Sequence, residues 1–467
     1  MIRTLLRLFV LVATVFCVTA LGAEVALAHN KQMSSSPADG EILSSSPNVW
    51  AVTFDKAVPI DSASGEIVKS DGVRVALSQP RHGQSNKIVV LDLPANLSGS
   101  VTARWRLIGT DGHVISGRVS FSVNAPSITT TTTPGSTSVP MSVNSADTFN
   151  EGRISAPEPV RVALRLLNYL ALVLLMGALF TEWYLARGAL TIPMGRRFAS
   201  IGSFGLPITS LLQLVVFVDD VKKSGGSWVS GFADAVATTP GAMLLMKTAT
   251  GALLVVMVGQ LLRSETFYSA QTASTNAIST NAASTNALPT DRARTRLIGA
   301  TMLVYLVTLA YGGHSRSMAA PWLGIPVHMV HTATAAIWFG GLAALLFIII
   351  PQLSPERCVV AFDRFGYAAE RAVAILVGTG IIQTFRLHPN PISLFTNSHG
   401  LLLTAKIVLV AFMLRLAAQN RQTLLRKRQQ TGNTRMLRRL LVKASLVETT
   451  TGVAVLTITA VLVAATP

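Results

Sequence analysis

The sequence predicts a small all-β sandwich outside the membrane, followed by an all-α polytopic membrane domain of about eight transmembrane helices. Three observations carry this prediction. The chain begins with a secretory signal pattern, residues 29–124 alternate apolar and polar positions as strands do, and residues 160–467 contain eight long apolar runs. Half of the 467 residues are hydrophobic and only 13% are charged, which is too apolar for a purely soluble protein.

Residues 1–28 are predicted to be a signal peptide. A basic start is followed by an apolar core and by a small-residue cleavage site that ends at Ala28. Cleavage there makes His29 the first residue of the mature protein, so that its imidazole and its freed α-amine can chelate one metal ion. Such a pair favours tetragonal copper(II) over magnesium or calcium. The alternative is an incidental histidine at the junction.

The sandwich is predicted over residues 29–124 because apolar residues recur there at every second position. These residues are Trp50, Val52 and Phe54, then Val101, Ala103, Trp105 and Leu107, then Val119, Phe121 and Val123. Turn signals separate the runs, and short strands at this spacing are typical of a small β-sandwich. The following residues 125–159 are rich in Ser, Thr and Pro and are predicted to be an extended linker.

Residues 160–467 are predicted to cross the membrane eight times. The apolar runs are close to the ~20 residues that a span needs, although the fourth is short. They lie near 162–186, 199–218, 240–262, 297–312, 325–350, 368–386, 401–419 and 444–465. An exported N-terminal domain places seventeen basic residues in inner loops and four in outer loops, which agrees with the positive-inside rule. We therefore expect a cytoplasmic-membrane protein with its N-terminal domain and its C-terminus on the extracytoplasmic side.

The same topology explains the net charge of +17, so no nucleic-acid partner is expected. The two cysteines, Cys17 and Cys358, can build neither a disulfide framework nor a thiolate metal site. None of the eight histidines is predicted in an inner loop. They are His29, His82 and His113 in the exported domain, and His314, His328, His331, His388 and His399 at outer ends of spans.

Asp111 and His113 are the predicted partners of His29. They are two residues apart, so on an extended segment their side chains project to the same face. Together with the amine and imidazole of His29 they make an N3O set, which suits tetragonal copper(II). The alternative is an ordinary Asp-Gly turn beside a surface histidine.

The exported domain resembles the CopC family of periplasmic copper-binding proteins. The residues that carry the resemblance are Ser36-Pro37-Ala38-Asp39-Gly40, Val52-Thr53-Phe54, Trp105-Arg106, Asp111-Gly112-His113 and Ser120-Phe121-Ser122-Val123. The resemblance implies a cupredoxin-like or immunoglobulin-like sandwich in which the mature N-terminal His, an Asp and a second His hold copper(II). These roles fall on His29, Asp111 and His113, whereas His82 matches no ligand.

The membrane part is similar to the CopD family, and fused CopC–CopD chains are a known arrangement. The residues that carry this similarity are Gly313-His314, His328, Trp338-Phe339-Gly340-Gly341-Leu342, Gly400-Leu401-Leu402-Leu403, Lys406, Asn420-Arg421 and Glu448. His328 and His331 are three apart and share one helix face, so they are the first candidates for a transmembrane copper path, followed by His314. Whether His388, His399 and His82 bind metal stays open.

The favoured hypothesis is a copper-handling membrane protein that captures copper(II) outside and passes it to the membrane domain for import, homeostasis and resistance. Its expected partners are copper ions and the lipid bilayer; copper chaperones or efflux partners stay unidentified. It is not expected to be an enzyme. Two alternatives stay open, a copper-dependent redox enzyme of the oxygenase type and a haem-binding electron-transfer bundle. Five further polar residues fall inside the spans, where they serve either helix packing or function; of these, Lys247 and Lys406 are expected to snorkel outward. The five are Asn168, Gln213, Lys247, Gln383 and Lys406.

Overall fold

The computed structural model has two compact units. One consists of His29–Ala156 and Val216–Gly241, and the other consists of the remaining segments of the chain. The residues that the structure describes are 32–55, 57–58, 60, 63–108, 114–123, 158–222, 227–275, 289–312, 320–388, 390–396, 398–430 and 434–464. The predicted signal peptide lies outside them, and so does the predicted linker except for its last two residues, which begin a helix.

The exported domain is a two-sheet β-sandwich, as predicted. Its strands are β1 Gln32–Ser36, β2 Ile42–Leu43, β3 Val49–Phe54, β4 Ser64–Lys69, β5 Arg74–Ala76, β6 Arg81–His82, β7 Ile88–Asp92, β8 Gly99–Ile108 and β9 Val114–Val123. In the described residues one sheet has the order β1-β3-β7-β6 and the other β2-β9-β8-β4-β5. All neighbouring strands are antiparallel except β2 and β9, which are parallel.

The alternating runs of the sequence form the core between these sheets. β3, β8 and β9 carry them, and each predicted inward residue is buried. Trp50 is fully buried, and Phe54 packs edge-on against Trp105 with ring centroids 4.9 Å apart. Because alternate side chains of a strand point to opposite faces, this pattern alone was sufficient to predict which face of each strand is buried.

The described part of the second half of the chain contains ten α-helices of four or more residues. They are α1 Glu158–Phe180, α2 Pro193–Val221, α3 Trp228–Ala237, α4 Thr239–Thr275, α5 Pro289–Tyr311, α6 Pro321–Ala344, α7 Pro355–Leu387, α8 Ser393–Thr396, α9 Ser398–Gln430 and α10 Thr434–Ala464. A π-helical turn continues α1 over Thr181–Leu185, and another continues α6 over Leu345–Ile349.

Eight segments of the described chain are long and apolar enough to cross a membrane, which confirms the predicted number. They are Pro159–Leu185, Pro193–Val221, Thr239–Ser264, Ala293–Tyr311, Pro321–Gln352, Pro355–Leu387, His399–Thr423 and Arg439–Val463. The fourth is the shortest at 19 residues, as the sequence indicated. Pro321–Gln352 is the most apolar of the eight and also the most buried, so α6 is the central helix of the bundle.

A pair of glycines lets α1 and α6 pack closely. A Cβ atom added to Gly177 would lie 2.6 Å from the backbone Cα of Gly340, which leaves no room for any side chain. On the next position of α6, a Cβ on Gly341 would lie 2.6 Å from the ring of Phe365 on α7. Small residues at such crossings allow the close backbone approach that stabilises helix pairs in membranes. The two glycines of Trp338-Phe339-Gly340-Gly341 therefore serve the close packing of helices.

Candidate metal centre

In the described part of the exported domain, the beginning of β1 is hydrogen-bonded to β8. The Trp105 indole Nε1 on β8 donates a hydrogen bond to Gln32 Oε1 on β1 over 2.8 Å, which joins the two sheets. Across the β8–β9 ladder, Gly117 pairs with Trp105, and a Cβ there would lie 2.5 Å from the indole ring. The indole therefore lies over Gly117 with its polar edge directed at the first strand.

The predicted copper ligands His29, Asp111 and His113 lie outside the described residues, and so does His314. The nearest described positions are Gln32 on β1, Ile108 at the end of β8 and Val114 at the start of β9. Ile108 and Val114 are paired across the ladder. His82, for which no role was expected, is described and lies exposed on β6.

The motif residue Asp39 has a structural role. Its Oδ1 accepts a hydrogen bond of 2.8 Å from the backbone N–H of Ser120 on β9, and the N–H of Gly40 donates to the Ser120 carbonyl. Gly40 has a φ of +78°, a conformation that glycine adopts without steric cost. This part of the CopC-like motif therefore fixes a turn against β9.

In the membrane domain, His331 on α6 is held by α7. Its Nδ1 lies 2.8 Å from the hydroxyl oxygen of Thr379, and that hydroxyl donates to the carbonyl of Ile375 one turn earlier. A threonine hydroxyl has a single hydrogen, so with that hydrogen on the Ile375 carbonyl we assign the tautomer in which the Thr379 oxygen accepts from His331 Nδ1–H. The neutral imidazole then carries its lone pair on Nε2, the nitrogen that remains available to a metal.

His328 precedes His331 by three residues on the same half-buried face of α6, as predicted. At 1.5 Å per residue, His331 lies about 15 Å along α6 from Pro321, and Lys406 about 12 Å along α9 from Ser398. The two residues are thus at similar depth from the same end of the bundle.

A second histidine pair, which sequence reasoning left open, lies where α7 ends and α9 begins. His388 Nε2 and His399 Nδ1 are 2.8 Å apart, and their ring centroids are 5.0 Å apart with planes inclined at 30°. Both side chains are buried, and burial lowers the pKa of His388 because it disfavours the imidazolium. The chain between them is not one continuous helix or strand, so their spacing of eleven residues does not predict the contact. The sequence indicated only that both lie at span ends predicted on the same side of the membrane.

Three of the five other polar residues in the spans bind neighbouring helices. Asn168 Nδ2 on α1 lies 2.8 Å from the hydroxyl oxygens of Thr209 and of Tyr305. Lys247 Nζ donates to Gln213 Oε1 over 2.8 Å, and Gln213 Nε2 donates to the Leu164 carbonyl. The expectation that Lys247 snorkels outward is wrong, because its side chain is buried against this amide. Packing, the simpler of the two interpretations, accounts for this group.

The Asn-Arg signature on α9 also joins helices. Asn420 Nδ2 donates to Glu448 Oε1 on α10 over 3.1 Å, and Arg421 forms an ion pair with Glu370 on α7. In the described part of the chain, no group of three or more His, Cys, Asp or Glu side chains is arranged to hold a metal ion.

Two family models match the chain. Residues 32–124 match the CopC domain, and residues 359–462 match Copper resistance protein D. The chain is a fused CopC–CopD protein. It is a multi-pass membrane protein of the copper resistance and transport families.

Two curated proteins and one solved structure are similar to parts of this chain or to most of it. The Copper transport protein CutJ of Bacillus subtilis is 28% identical over 89% of this chain and 71% of its own length. Copper resistance protein D of Pseudomonas syringae pv. tomato is 23% identical over 56% of this chain and 82% of its own length. The crystal structure of CopC from Methylosinus trichosporium OB3b is 23% identical and covers 22% of this chain and 100% of its own, with a TM-score of 0.20.

The tether on His331 can be tested with a matched pair of threonines on α7. Thr379→Val removes the acceptor of Nδ1–H, so His331 is expected to populate both tautomers. Thr384→Val is the control, because the Thr384 hydroxyl donates only to the Gly380 carbonyl of its own helix. The measurement is the ¹⁵N spectrum of histidine-labelled protein in nanodiscs. Unchanged His331 signals in Thr379→Val would contradict the assignment.

Proposed function

We propose that the exported domain binds copper(II) through His29, Asp111 and His113, and that the membrane domain imports the copper it receives. The observation that carries this proposal is the fusion of a CopC domain and a CopD segment in one chain. A binding domain on the same polypeptide as a membrane domain raises the local concentration of the metal beside its next site.

The framework around the exported site supports the ligand set. His29 is three positions before Gln32, and Asp111 is three positions after Ile108, so each of these chain segments can span at most about 10 Å. His113 immediately precedes Val114, the partner of Ile108. Because Gln32 is bonded to Trp105 on β8, the beginning of the mature chain starts from the same strand that leads to Asp111. This common starting point supports the proposal that the three residues bind one metal ion.

Import is the favoured direction because every histidine of the sequence is predicted on the outer side of the membrane. His328 and His331 on α6 are the proposed first ligands inside the bundle, with Nε2 of His331 free for coordination. His314 is the third proposed ligand of this path. In this function the chain binds and moves copper, and neither terminus lies in the cytoplasm.

The exported site depends on a free α-amine at His29. The change that tests it is a cleavable extension placed before His29 in the isolated exported domain, residues 29–124. The extended form is expected to bind copper(II) weaker by orders of magnitude, because the amine is no longer a ligand. Proteolytic removal of the extension is the control and should restore the affinity, measured by competition titration. Equal affinity before and after cleavage would show that the amine is not a ligand.

The proposed copper path in the membrane domain depends on the imidazoles of His328 and His331. Changing both His328 and His331 to Ala is expected to lower copper accumulation in cells, while copper(II) binding by the exported domain is unchanged. His82→Ala is the matched control, because this histidine is exposed on β6. Accumulation is measured as cellular copper per amount of protein in the membrane. Wild-type accumulation in the double variant would remove both residues from the path.

A further inference from the structure

We propose that His388 and His399 form a two-coordinate copper(I) site at the outer end of the membrane domain. The inference rests on the proposed function and deepens it, because it names the oxidation state in which the bundle takes up copper. The copper(II) delivered by the exported domain is reduced before it enters the site by an extracytoplasmic thiol reductant: two thiols become a disulfide, releasing two protons and giving one electron to each of two copper ions. No redox step is assigned to the side chains of this chain.

In the hydrogen-bonded pair, the two facing ring nitrogens are already oriented as the two ligands of a linear copper(I) complex must be. The lone pair of one ring nitrogen points at the N–H of the other ring over an Nε2–Nδ1 distance of 2.8 Å. Replacing this proton with a metal requires two bonds of about 2.0 Å, so the nitrogens must separate by about 1 Å more. His388 can supply this shift, because it is the non-helical residue after α7, with φ −128° and ψ 78°.

Binding conserves protons. In the empty pair, one of the two facing nitrogens carries a hydrogen. When copper binds, that hydrogen moves to the other nitrogen of the same ring, and both facing nitrogens donate their lone pairs to the metal. The complex of two neutral imidazoles and copper(I) therefore has a charge of +1.

Burial favours a monovalent ion with few ligands. His388 is 2% exposed and His399 is 3% exposed. Zinc and copper(II) take about four ligands, whereas this pair presents two ring nitrogens that face each other. A buried divalent ion would also carry twice the uncompensated charge, and an unpaired charge in an apolar surrounding is costly. Copper(I), a d10 ion, is satisfied by two collinear nitrogen ligands.

The pair also lies above the proposed path. His388 follows Thr379 by nine residues on α7, which is about 13 Å along the helix axis. Thr379 is the residue that orients His331. Copper bound between His388 and His399 would thus occupy the outer end of the same helix that positions the next imidazole.

Two substitutions separate a copper ligand from a hydrogen-bonding brace between α7 and α9. His399→Asn keeps a side chain that can hydrogen-bond to His388 but is a poor copper(I) ligand. His399→Met loses the hydrogen bond but supplies a thioether, a ligand that selects copper(I). His82→Asn is the control for an exposed histidine that takes no part.

The measurement is anaerobic titration of the whole chain in detergent with copper(I), in competition with a chromophoric copper(I) chelator. Wild type, His399→Met and His82→Asn are each expected to bind one more copper(I) ion than His399→Asn does under the same competition. In His399→Asn, the affinity for this additional ion is expected to be lower than in wild type by more than about 10-fold. X-ray absorption of the wild-type site should show two nitrogen neighbours. Wild-type binding in His399→Asn, or a site of four ligands, would overturn the proposal.

The test is independent of the outcome for the proposed function. If His399→Asn binds copper(I) like wild type while cells still accumulate copper through the chain, only this inference fails. If the pair binds copper(I) but the chain moves no copper, the site stands and the proposed import fails.

Discussion

A polar side chain within an apolar bundle needs a partner from another helix, and the membrane domain is organised by this constraint. Asn168 joins α1 to α2 and α5, Lys247 joins α4 to α2, and Asn420 joins α9 to α10. Each bond spares a polar group the cost of an unsatisfied position in hydrocarbon. The tether from His331 to Thr379 belongs to the same set, but it leaves one ring nitrogen for a ligand.

The close crossing of α1 and α6 makes these bonds compatible with one another. Gly177 and Gly340 bring the two backbones together, so α6 occupies the centre of the bundle. The side chains of His328 and His331 are half-buried in the first part of this helix, and the enclosed part of α6 follows from Ala336 onward.

Sequence periodicity was sufficient to predict the sandwich, its core and the eight spans, because burial in strands and in lipid leaves a direct pattern in the order of residues. Pairings between elements leave no such pattern. The contact of His388 with His399 depends on where two helix ends meet, and the bond from Lys247 to Gln213 depends on how α2 and α4 face each other. The exported ligands His29, Asp111 and His113 remain a prediction from ligand chemistry and family resemblance.

The central claim is that this chain moves copper inward across the membrane. The most direct measurement is uptake of radioactive copper into vesicles that contain the whole chain with its exported domain outside. The account predicts accumulation inside these vesicles well above that in vesicles without the protein. Equal copper content in the two preparations, with the exported domain loaded, would contradict it.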